Sequence, residues 1–174
     1  MKVWLPMLGL CFVLYAFSLY RLVQSGRLVD EVSGNSLQVP DLKLAPQRAY
    51  TWAFVQSIGE EGRQLYRNQM EEEDVIYPFT YALFFGLLLI FVSKWSFPTK
   101  KWLMGLALLF PMAGLFDVLE NQIMTWIIDA YPKEILDYQN MYRIASALKW
   151  ASLGAGMLSI ALIASIKFMK RFRS

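Results

Sequence analysis

Four apolar runs leave this chain few folds to choose from: they cover about residues 3–23, 75–93, 102–128 and 142–166. A helix needs about 20 such residues to cross a bilayer. Only 18% of the 174 residues are charged, against 56% hydrophobic and 16% aromatic, which is too apolar for an ordinary soluble domain. The expectation is an all-α membrane protein: a single transmembrane domain over 1–174, built as a four-helix bundle. The first run is long and lacks a clean small-x-small cleavage site, Ala16-Phe17-Ser18 being an imitation of one. It is expected to remain as a helix and not to be removed as a signal peptide.

The connections differ in character. Residues 24–74 are polar and mixed in charge, with turn-formers at Ser33-Gly34-Asn35-Ser36 and Pro40-Asp41. After Pro46, the spacing of Tyr50, Phe54 and Ile58, with Trp52 and Val55 nearby, predicts an amphipathic helix in this outer loop, lying on the membrane or capping the bundle. Gly59 and Gly62 are expected to interrupt it and leave Arg63 and Tyr66 on a second short piece. The run Glu71-Glu72-Glu73-Asp74 reads first as a solvated face. The connection at Lys94–Trp102 is a short basic turn flanked by Trp, and residues 129–140 are mixed in sign around Tyr131-Pro132.

Lys and Arg cluster at Lys2, at Lys94, Lys100 and Lys101, and from Lys167 to Arg173. Excess basic residues mark the cytoplasmic side, so both termini are expected there, as an even number of spans requires. These positions also make the net charge of +3 a topology signal and not a nucleic-acid footprint. The only cysteine is Cys11 and there is no histidine, which excludes an internal disulfide, CxxC sites, His-ligated metals and histidine-activated nucleophiles. Asp117, Glu120 and Asn121 could ligate Mg²⁺ in type, but no second acidic motif stands at related spacing, so neither metal nor cofactor is expected.

Asp117, Glu120 and Asn121 sit inside the third run. Ionisable groups at bilayer depth are costly and call for a partner. Lys149 is the expected one: seven residues past Tyr142 it lies roughly 10 Å below the outer boundary, level with Glu120 at ~1.5 Å rise per residue. Small and polar residues accompany each charge, Ala113 and Gly114 on one helix and Ser152, Gly156 and Ser159 on the other, as close packing requires. Asp74, Tyr77, Pro78 and Tyr81 share a face of the second span.

With Arg143 and Arg63 these residues would make an outward-opening polar pocket, its ligand-binding set Asn121, Asp74, Tyr81, Arg63 and Arg143. The expected ligand is a membrane lipid or isoprenoid-like amphiphile. In an enzyme, Glu120 or Asp117 would be the general acid/base and Lys149 the electrostatic stabiliser of an isomerase or hydrolase-like step. The competing reading is a non-catalytic assembly subunit of a membrane complex, with a membrane-protein partner on the amphipathic helix and the charges fixing helix register. Aromatic-belt anchoring competes for Tyr77 and Tyr81. A transporter ranks third, since no inverted repeat is visible.

Three motifs occur together: Gly59-Glu60-Glu61-Gly62-Arg63-Gln64-Leu65-Tyr66, Asp74-Val75-Ile76-Tyr77-Pro78-Phe79-Thr80-Tyr81 and Asp117-Val118-Leu119-Glu120-Asn121. With the lysine in the last span they resemble a group of small, uncharacterised four-span bacterial membrane proteins. The resemblance runs from Tyr50 onward and implies that architecture and residence in the bacterial inner membrane, without implying an activity.

Overall fold

The computed structural model describes residues 4–34 and 37–171, so Lys2, Asn35-Ser36 and the Phe172-Arg173 end of the basic tail lie outside the described residues. The described chain is all helical: α1 (Trp4–Ser33), a 3-10 turn (Pro40–Leu42), α2 (Arg48–Ser57), α3 (Gly59–Ser96), a 3-10 segment (Lys101–Leu108) running into α4 (Leu109–Ala130), and α5 (Leu136–Arg171). Four stretches are long and apolar enough to cross a membrane, and together they form a multi-pass bundle. Leu10, Phe12, Leu115 and Leu158 stand exposed on its outside, where lipid replaces water as the solvent.

Neighbouring spans are antiparallel, and specific side chains fix their register. Along the α1/α3 seam, Lys94 lies over the Trp4 ring, Ser18 hydrogen-bonds Thr80 at 2.6 Å, and Arg21 pairs with Glu73. Between α3 and α4, Gly114 lets the backbones close up: a Cβ there would stand 3.2 Å from the Pro78 carbonyl oxygen. Between α4 and α5, Gly156 accommodates the buried Phe110 ring, which a Cβ would meet at 2.7 Å.

α3 differs from the expectation in having no interruption at Gly62. Gly59, at φ +67°, is the joint that ends α2, and from there a single helix runs on for 38 residues. Its first turns are held by buried Tyr66 and Met70, with the Phe54 ring of α2 edge-on to Tyr66 at 5.2 Å. The acidic run is therefore part of α3, and it divides: Glu72 is exposed, Glu73 pairs with Arg21, and Asp74 is buried. α2 caps the bundle, with Thr51, Phe54 and Val55 buried.

The two ends of the bundle are unlike. One is basic and aromatic, with Lys167 over Trp95 and Lys100 over Phe97. The other is closed by α2 and by the strap at Pro40–Leu42, above a core that includes Val29, Tyr66, Met124 and Tyr142.

Candidate functional site

The i, i+3, i+4 spacing of Asp117, Glu120 and Asn121 turns all three toward the bundle interior, and all are buried. α5 presents Lys149 to them. Its Nζ donates to Asp117 Oδ1 at 3.2 Å, pairs with Glu120 Oε2, and reaches the Asp41 carbonyl oxygen of the strap at 3.3 Å. The Glu120 contact is an ion pair, and both Glu120 carboxyl oxygens are buried without a hydrogen-bond partner. The expected Lys149–Glu120 level is thus realised, with Asp117 as a second partner.

The strap is tied to α5 by more than Lys149. Trp150 Nε1 donates to the same Asp41 carbonyl at 3.1 Å, and Ser146 Oγ donates to the Lys43 carbonyl at 3.0 Å. Asp41 Oδ1 is buried without a partner. Burial pushes the Asp41 carboxyl above its ordinary range and Asp117 pushes the same way, against the opposing pull of Lys149.

Asn121 does something the sequence reading did not foresee. Proline has no N–H to give the carbonyl four residues back, so Pro78 inside α3 leaves the Asp74 carbonyl without its helical donor. Asn121 Nδ2 supplies one from α4, at 3.0 Å. Asp74 is only 2% exposed, and its Oδ2 has no partner. The buried Tyr81 hydroxyl lies against Asp117.

These groups face a cavity of about 340 Å³ between α1 and α5, roofed by the strap. Asp41, Asp74, Asp117 and Lys149 line its polar part, with Tyr66, Tyr77, Tyr81 and Trp150 as aromatic wall. Leu19, Leu22, Val23 and Leu153 make an apolar side, and Gly26 leaves space on α1. Glu120 and Asn121 stand behind this wall.

The two expected arginines are elsewhere. Arg63 donates to the Val55 carbonyl at 3.2 Å and lies over the Tyr131 ring, while Arg143 is exposed on α5. Both follow from helix phase: Arg63 turns toward α2, and Arg143 points away from α4. Asp41, Tyr66 and Trp150 are among the cavity residues missing from the expected ligand-binding set. Trp150 could be inferred from adjacency to Lys149, whereas nothing local marks Asp41, whose position depends on how the strap docks. A second hollow of about 660 Å³, between α3 and α4, is lined without charged side chains. Among the described residues no group of three or more acidic or cysteine side chains is arranged to hold a metal ion.

Fold and site together define an all-α, four-helix membrane bundle with a buried lysine–carboxylate cluster beside a mostly apolar cavity that carries a few polar groups. Comparison with protein-family models, with curated proteins and with solved structures gives no match.

Proposed function

We propose that this protein binds a small lipid or isoprenoid-like amphiphile in the cavity between α1 and α5, its tail among the leucines and its head at Asp41 and Asp74. The supporting observation is the cavity itself, in which an apolar side continues into a wall of buried carboxyls. Pockets that combine a mostly apolar lining with a few convergent polar groups are the usual form of small-molecule sites.

Binding is favoured over catalysis at the residues first expected to react, because Lys149 is held by Asp117, Glu120 and the strap. The assembly reading has less support, because α2 turns Phe54 and Val55 inward and offers no free apolar face of that kind. In this reading the protein resides in the bacterial inner membrane with both termini cytoplasmic, so the cavity opens toward the outer leaflet.

Native mass spectrometry of the detergent-extracted protein tests the reading. A lipid-sized adduct is expected on the wild type and not on Gly26→Trp, whose side chain would fill the cavity. Absence of any adduct, or its persistence in a folded Gly26→Trp, overturns the reading.

A further inference from the structure

The cavity presents more carboxyls than it has cations to match. Asp117 and Glu120 share Lys149, which also reaches the strap, so this one cation is already committed to two carboxyls. That leaves Asp74 Oδ2 and Asp41 Oδ1, both buried, both without a partner, and on residues that line the same cavity. A buried oxygen left unpaired costs stability, so each is a place where a donor from outside the chain would be bound with profit. The donor's charge is constrained as well. Arg27 is on the α1 wall but has Asp30 one turn on, so the cavity as a whole keeps an acidic excess. A phosphate or carboxylate head would add to this acidic excess in a low-dielectric setting, whereas an ammonium supplies donors to the unpartnered oxygens and favours their ionised form. The surrounding rings of Tyr66, Tyr77, Tyr81 and Trp150 are the lining that a desolvated ammonium favours.

We propose that the head group selected by this cavity is an ammonium, held between the carboxyls of Asp74 on α3 and Asp41 on the strap. The inference rests on the reading of the cavity as an amphiphile site and narrows it to amine-bearing ligands. One ligand would then bridge α3 and the strap, as Lys149 bridges α4, α5 and the strap.

The test uses the full chain in nanodiscs made from equimolar phosphatidylethanolamine and phosphatidylglycerol, with retained lipid read by native mass spectrometry. Phosphatidylethanolamine is expected to be enriched on the wild type by about tenfold, the scale of one charge-assisted hydrogen bond. Asp41→Asn and Asp74→Asn should each bring that ratio close to unity. Asp41→Asn on the strap is the safer variant should Asp74→Asn fail to fold. A second arm titrates ethylammonium into nanodiscs of phosphatidylglycerol alone: saturable binding lost in Asp41→Asn would identify a soluble amine, and not a lipid, as the source of the same chemistry. Retention of phosphatidylglycerol as strong as that of phosphatidylethanolamine, lost in Gly26→Trp, would overturn the ammonium assignment while leaving the cavity reading in place. No binding of either lipid and none of ethylammonium would overturn both. Enrichment that survives in folded Asp41→Asn and Asp74→Asn would overturn the assignment to these two carboxyls.

Discussion

At the scale of the residue, Asn121 shows how a polar side chain in an apolar run can serve another helix. Pro78 removes a donor from α3, and the Asp74 carbonyl it orphans is buried beside α4, where the Asn121 amide reaches it at 3.0 Å. If that is what Asn121 does, Asn121→Ala should lower unfolding stability by about 1–3 kcal/mol, the cost of a buried group left unpaired. Pro78→Ala restores a helical N–H to the same carbonyl, so the double variant should recover most of the loss. Reversible unfolding of the four proteins in bicelles measures the cycle; equal losses in the single Asn121→Ala and the double variant would assign Asn121 another role. The pairing of Lys149 with Glu120 was legible in the sequence, because both lie on long helices whose rise fixes their depth. The Asn121 contact was not, since it depends on which faces of α3 and α4 meet. Asp41 was less legible still: a loop residue has no period, and only the docking of the strap on Ser146, Lys149 and Trp150 brings it to the cavity.

At the scale of the element, the apolar runs located the spans but underestimated three of the helices, α1, α3 and α5, and the first two bear on the cavity. α1 continues to Ser33 and α3 begins at Gly59, well beyond the expected 3–23 and 75–93. Hydropathy marks the part of a helix that meets lipid, whereas these extra turns are polar outside and held inside by Val29, Tyr66 and Met70. They carry the wall and rim of the cavity, and with it the proposed amphiphile site. The strap that closes it should respond to pH through Asp41. The groups facing that carboxyl are Lys149 and Tyr142 of α5, Asp117 and Glu120 of α4, and Tyr66 and Asp74 of α3, with Arg27 and Asp30 on the α1 wall. Burial raises the folded pKa of Asp41, so the folded state holds this proton more tightly than the unfolded chain does. Its favourable contribution is complete below the unfolded value of about 3.9 and is lost as pH rises through the folded pKa. Asp41→Asn, fixed neutral, should match the wild type in acid and become the more stable of the two at higher pH. Hydrogen exchange of the peptide 38–46, compared between the two proteins at each pH, should show the strap loosening only in the wild type. A pH-independent difference would separate the strap from Asp41 titration.

At the scale of the whole molecule, the two ends differ in a way that bears on the proposed orientation. Lys94, Lys100, Lys101 and Lys167 gather at the end where α3 meets the 3-10 segment and α5 finishes, several of them over aromatic rings. Basic residues next to spans are retained on the cytoplasmic side, and interleaved tryptophans suit a head-group boundary. The opposite end mixes Arg63 and Lys133 with Glu60, Glu61 and Asp137, and carries no such bias. The orientation decides which leaflet would supply the proposed amphiphile, because the polar groups of the cavity lie toward the strap-covered end. Cysteine accessibility measures it. In a Cys11→Ala background, Gln56→Cys on exposed α2 should react with a membrane-impermeant maleimide in spheroplasts, while Lys100→Cys should react only after lysis. The reverse pattern would turn the cavity toward the inner leaflet and leave its chemistry unchanged. Labelling of both sites in spheroplasts would contradict the antiparallel bundle itself, since α3 places Gln56 and Lys100 beyond its opposite ends.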